Sequence, residues 1–189
     1  RYDLPTQMSA PARMLLDPYG KLWIAEFFAG KLAKLDPATR TFTEFPLPVA
    51  SGPSDQSALL GPGPWDLLLD RNGDLLISEG FDSEIVQFDP GAGKVVAEHG
   101  IPGIDRKVEF LHSMSADASG NAWFGVYATD KKKGHGRVGR LTLSGEVQMF
   151  PPLTQLGIAG GVSGVRVSPS GEIWAALFWE EGVGRFVRY

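Results

Sequence analysis

Short apolar runs, each introduced by a glycine turn, recur along this chain at a nearly constant distance. The runs are KLWIAEF (21–27), DLLISEG (74–80), NAWFGVY (121–127) and EIWAALF (172–178). The turns before them read Asp17-Pro18-Tyr19-Gly20, Asp70-Arg71-Asn72-Gly73, Asp117-Ala118-Ser119-Gly120 and, with Ser in place of Asp, Ser168-Pro169-Ser170-Gly171. Their glycines lie 53, 47 and 51 residues apart, and an aromatic residue or leucine follows three positions later, at Trp23, Leu76, Trp123 and Trp174. A second alternating run comes next (30–37, 83–90, 136–143 and 182–189), and three units continue into a proline-bearing stretch, FTEFPLP, KVVAEHGIP or GEVQMFPPL. Proline cannot donate to a ladder, so such ends suit outer strands. No segment sustains a 3.6-residue period, and the Gly and Pro spacing would break a helix.

Each unit therefore predicts four short strands: one before the D-x-x-G turn, one after it, a third ending near D-P or T-L, and an outer fourth. Four strands in a repeat of about 40 to 50 residues predict an all-β fold, the β-propeller, with one blade per unit. The blades are expected near 11–61, 62–110, 111–160 and 161–189 within one domain. The last unit stops after its third strand, so residues 1–10, with the strand-like RYDLP, are expected to complete it and hide its edge. The strand count allows a closed four-bladed ring or part of a six- or seven-bladed one. A β-sandwich with accidental turn similarity is the competing architecture.

Composition narrows the partners. The 189 residues are 43% hydrophobic and 21% charged, as in soluble globular proteins, and a chain of this size buries roughly 70% of its unfolded surface. With 18 basic against 22 acidic residues the net charge is −4, which argues against nucleic acid, whose phosphates need a basic face. No apolar run approaches the roughly 20 residues of a membrane helix. Zero cysteines exclude disulfides, thiolate zinc and a cysteine nucleophile, without fixing the compartment. The N-terminus lacks an initiator Met and a signal-like apolar core, so the chain is expected to begin after processing or truncation.

The segment 11–48, PARMLLDPYGKLWIAEFFAGKLAKLDPATRTFTEFPLP, and its counterparts resemble the blades of the streptogramin (virginiamycin B) lyase-like propellers. The same blade pattern is shared with gluconolactonase-like propellers. The resemblance implies seven blades, more than this chain supplies, and a magnesium-assisted elimination that opens a cyclic depsipeptide. It also implies a site with Glu-x-His at the start of one innermost strand and a glutamate shortly after a Trp-Phe pair. His112 matches the histidine, but Phe110 stands where the glutamate belongs and Glu109 is one position out. Trp123-Phe124 is followed by Gly125-Val126-Tyr127, with no carboxylate. The residues present do not carry the magnesium chemistry.

Blade topology marks a site independently. The D-x-x-G turns share one face, so the start of strand one and the end of strand two meet at the central opening of the other. Counting from the turns places Ala12, Trp65, His112 and Ser163 at the first position and Glu26, Glu79, Val126 and Leu177 at the second. Phe27, Phe28, Phe81, Tyr127, Phe178, Trp179, Glu180 and the insertion 129–136 add a rim. A concave opening with aromatic walls and a few polar groups is the usual form of a small-molecule site. His112 is the candidate catalytic group, because histidine exchanges protons near neutral pH; its bland alternative is a core histidine. Trp65, Glu26, Glu79, Tyr127, Ser163, Phe178 and Trp179 are the candidate substrate-binding residues.

The alternatives stay open. Glu26 and Glu79 are either rim acids bonded to backbone or ligands of a divalent metal, magnesium or calcium, and Trp65 either lines the site or packs between blades. The Lys131–Lys133 run is a solvated loop tip or, with His135, an attractor of anions; His99 is expected at the surface. GPGPW (61–65) has no following helix and is no phosphate loop, and Ser163 in GVSGV has no triad. Three functions fit: a lyase, isomerase or cyclase acting on a neutral or anionic organic molecule, such as a cyclic natural product; a propeller that binds protein without chemistry; and a metal-dependent lactonase. Beyond the small molecule, the expected partner is a further chain segment or a second copy completing the ring.

Overall fold

The computed structural model describes residues 1–49, 61–130, 136–156, 160–178 and, as backbone, 186–188. Fifteen strands form four antiparallel sheets in chain order. The first holds β1 (Pro11–Leu16), β2 (Leu22–Glu26), β3 (Lys31–Asp36) and β4 (Thr41–Pro46), each paired with its successor. The second holds β5 (Pro64–Leu69), β6 (Leu75–Glu79), β7 (Glu84–Asp89) and β8 (Lys94–Gly100). The third holds β9 (Glu109–Ala116), β10 (Ala122–Ala128), β11 (Arg137–Leu141) and β12 (Val147–Met149), followed by a 3₁₀ turn at Leu153–Leu156. The fourth holds β13 (Gly161–Val167), β14 (Ile173–Phe178) and β15 (Phe186–Arg188). These are four propeller blades in succession.

The turns work as their sequence predicts. Asp17, Asp70 and Asp117 each accept two backbone N–H bonds on Oδ1, from residues two and four positions on, at 2.8–2.9 Å. Oδ2 of Asp17 and of Asp117 also accepts from the indole of Trp23 or Trp123, at 2.9 Å. Burial alone would raise the Asp117 carboxyl, but the donors Asn121 and Trp123 outweigh it and hold the group below the usual range. Gly20, Gly73, Gly120 and Gly171 close the turns at φ of 75° to 91°, a region L side chains avoid.

The core lies between blades rather than within them. Trp23 and Leu32 meet Leu75, Ile77 and Phe88 of the second blade. Leu76 and Ile85, on that blade's other side, meet Phe124, Val126 and Leu141. Trp123 and Val138 then meet Val162, Val165 and Ala175. Each β6- or β10-type strand thus sends alternate residues to opposite neighbours, which is why these strands read as almost continuous apolar runs.

One expectation fails at the ends. Residues 1–10 form no strand, and they lie over the first blade instead of completing the fourth. Thr6 donates to both Glu44 oxygens and accepts from Lys31, while Phe27 and Phe28 N–H groups bond the Ala10 and Ser9 carbonyls; these anchors outcompete pairing by a five-residue strand that contains proline. Nor, among the described residues, does any core cluster join the fourth blade to the first. Trp23 and Trp123 are 1% and 9% exposed, whereas Trp174 in the same register is 37% exposed. Met14 and Leu16 are likewise exposed at the other end, beside a cavity of about 500 Å³ lined by Leu22, Ile24, Leu35 and Phe42. No helix among the described residues is long and apolar enough to cross a membrane.

Candidate functional site

Every innermost strand carries a bulge at the position that sequence counting singles out. In β1 Ala12 and Arg13 oppose Ala25 alone, and in β9 His112 and Ser113 oppose Gly125 alone. Trp65 in β5 and Ser163 in β13 are single extra residues. A bulge breaks period-two alternation and re-aims a side chain. Its neighbour then turns to the next blade: Asp66 Oδ2 accepts from Met114 N at 2.8 Å, and Ser113 Oγ from Val165 N at 2.7 Å. Gly125 permits the close approach, since a Cβ there would stand 2.6 Å from Val162.

The re-aimed side chains build a row of rings across the four blades. Phe27 meets Phe28 at 5.1 Å, Phe81 at 4.7 Å and Trp65 at 5.2 Å between centroids. Trp65 meets His112 at 4.8 Å, His112 meets Tyr127 at 5.6 Å, and Tyr127 meets Phe178 at 5.6 Å. The structure thus brings together His112, Trp65, Tyr127 and Phe178. Ser163 lies beside them, its carbonyl near enough to favour the charged form of His112, while its hydroxyl reaches the Ala176 carbonyl at 3.4 Å. Burial chiefly, and then the charge of Arg13, lower the His112 pKa; the Ser163 carbonyl and Asp66 oppose them. The imidazole is neutral at pH 7, with Nδ1 covered and without a hydrogen-bond partner.

Sequence reasoning missed Arg13. Its guanidinium lies 5.5 Å from the Trp65 ring centre, and the signal was the two-residue bulge, which no period reveals. Trp179, Glu180 and residues 131–135 lie outside the described residues.

The two glutamates are not at the rim. Glu26 and Glu79 are 0% and 1% exposed. Their register partners Val126 and Leu177 belong to the inter-blade cores, so the same position that buries a valine or leucine buries an acid here. Burial, then Asp82, Glu84 and Glu98, push Glu79 up to about 9. Glu26 is raised by burial and by Glu44, against Ser9 and Lys31. The Ser9 hydroxyl approaches Glu26 without ordinary hydrogen-bond geometry, leaving both carboxyl oxygens unpartnered. His99, expected at the surface, is half-buried against the Gly145 turn.

A magnesium or calcium ion needs several accessible, ionised oxygens. Among the described residues no three His, Asp or Glu side chains converge to hold one, and the acids nearest Glu26 and Glu79 are different: Glu44 for the first, Asp82, Glu84 and Glu98 for the second. The donor set present does not fit the metal.

No protein-family model and no curated protein matches the chain. Solved structures do. Virginiamycin B lyase from Staphylococcus aureus superposes with a TM-score of 0.75 at 18% identity, over all of this chain and 58% of the lyase. A streptogramin B lyase gives 0.74 at 22%, over all of this chain and 54% of its own. A catalytically inactive His-to-Ala form of the Staphylococcus lyase, solved with quinupristin, gives 0.75 at 18% and 58%. The blade pattern that resembles these lyases therefore corresponds to a shared propeller fold, and the chain spans little more than half of their length.

Proposed function

We propose that this chain acts on a small organic molecule at the inner edge of its blades, as a lyase that uses His112 for proton transfer. The observation that carries the reading is a neutral imidazole set between the rings of Trp65 and Tyr127, with its Nδ1 buried and without a hydrogen-bond partner. A buried polar atom without a partner is costly, and a ligand is one way such a cost is met. Neutral imidazole is the form that accepts a proton. In an elimination that opens a cyclic ester, the neutral imidazole takes the proton from the carbon beside a carbonyl. That C–H pair becomes the new double bond, and the ester C–O bond breaks so that its electrons leave with the carboxylate. The ring row supplies an apolar wall for the rest of the substrate.

The inactive Staphylococcus lyase carries a His-to-Ala change and was solved with quinupristin, which makes that compound the first substrate to try. Elimination gives a product of unchanged mass and a new chromatographic position; hydrolysis by a lactonase would add one water. Product of unchanged mass that disappears with His112→Ala supports the lyase. Binding without product supports a second reading, recognition without chemistry, which the covering of His112 Nδ1 favours.

The uncovered end faces bear on the partner. Met14, Leu22 and Ile24 stand where Leu67, Leu75 and Ile77 of the next blade pack, and Trp174 where Trp23 and Trp123 do. Further blades of the same repeat are the partner these faces suit; the solution mass of the chain with and without Trp174→Asp tests it, association lost in the variant being the expected result.

A further inference from the structure

Some cations among the described residues pair with acids. Lys21 pairs with Asp36, Lys31 with Glu44 and Arg137 with Glu109, all within 2.8 Å, and Arg106 lies 3.7 Å from Glu84. Arg13 is different. Its hydrogen bond goes to the carbonyl of its neighbour Ala12 at 3.1 Å, and among the described residues no carboxylate lies within ion-pair distance. Asp66, the acid that acts on His112, has both oxygens engaged, Oδ1 by Leu67 N and Oδ2 by Met114 N. Glu26, on the same blade as Arg13, is closed off from solvent.

What holds Arg13 is a ring. The guanidinium stands 5.5 Å from the Trp65 ring centre, an attraction that leaves the donors not bonded to the Ala12 carbonyl unspent. Lys34 over Trp23 and Arg140 over Trp123 show the same contact on outer parts of the blades, but Arg140 donates to Gln148. The bulge in β1 brings Arg13 to Trp65 and close enough to His112 for its charge to add to burial in disfavouring the imidazolium. A planar fork of donors is matched in shape and charge by a carboxylate.

We propose that Arg13 is an anion subsite of the His112 site, and that the preferred ligand carries a carboxylate beside a flat apolar body resting on Trp65. The inference rests on the functional reading above. In the elimination described there, the electron pair of the broken C–O bond ends on a carboxylate, and Arg13 is the group that receives it.

Two probes of one shape separate the charge from the ring: 2-naphthoate and 2-naphthamide, titrated into the full chain with tryptophan fluorescence and calorimetry as readouts. The naphthoate is expected to bind at least about fivefold more tightly, with the advantage shrinking as salt rises. Arg13→Gln, an exposed change whose folding circular dichroism verifies, should abolish the difference and leave the amide unaffected; Arg13→Lys should keep part of it. Equal binding of the two probes, or a preference that survives Arg13→Gln, overturns the anion subsite while leaving the aromatic site standing. Binding of neither probe, or binding indifferent to Trp65→Ala, overturns the site and the subsite together.

Discussion

The two faces of these blades are built from the same strands and obey opposite rules. On the D-x-x-G face a carboxylate accepts the same two N–H groups in three blades, a glycine takes a left-handed φ in all four, and a Trp or Leu follows at the same offset. On the other face each inner strand is bulged, and the bulge position holds Ala12 followed by Arg13, Trp65, His112 and Ser163, no two alike. Where backbone donors must be satisfied the repeat is strict; at the proposed site it dissolves. The difference teaches that the strict face carries stability, and if the varied face carries the proposed recognition the two should be separable by mutation.

The largest effect belongs to the strict face. Asp117→Ala removes an acceptor from two backbone N–H groups, the Asn121 amide and the Trp123 indole. Unfolding in urea should show a loss of about 3 kcal/mol, with probe affinity at the other face unchanged in the folded fraction. An equal loss of affinity would break the separation. Second comes the buried acid between the first two blades. Because folding raises Glu79 from 4.5 to about 9, its contribution is complete below the lower value and is lost as pH rises through this window. Wild-type stability should fall with pH by up to about 1.4 kcal/mol per unit there, and Glu79→Gln should flatten the profile. Third, His112→Ala should lower turnover or ligand affinity at least about tenfold, or 1.4 kcal/mol, with little change in the urea midpoint. A variant that merely unfolds would assign the histidine to the core. The smallest effect is a gain: Ser168 accepts one N–H where the aspartates accept two, so Ser168→Asp should stabilise the fourth blade by about 0.5 kcal/mol, read as a small rise in Tm.

The same division decided what could be read from the sequence. Blade number, strand order and the turn face were legible because hydrophobic period and turn chemistry are local properties, repeated four times. The meeting of Trp65 and His112 was legible because both sit at a fixed offset from those turns. Arg13 escaped because a bulge adds a residue without leaving any mark on the hydrophobic pattern. Glu26 and Glu79 misled because an acid reads as a surface residue, whereas their register is that of Val126 and Leu177. The place of residues 1–10 was decided by Thr6, Glu44 and Lys31, contacts across more than 20 residues that no local pattern encodes.

The bulges also bear on how such a protein changes over time. An inserted residue stands outside the ladder and outside the hydrophobic clusters between blades, so its replacement leaves those clusters intact. Each blade therefore offers one position at which mutation alters what is bound while stability stays above the threshold for folding. Across several blades these positions vary independently, and a lineage can exchange one ligand for another through single, individually tolerated steps. A repeat architecture that looks rigid is, at one residue per blade, open to rapid divergence.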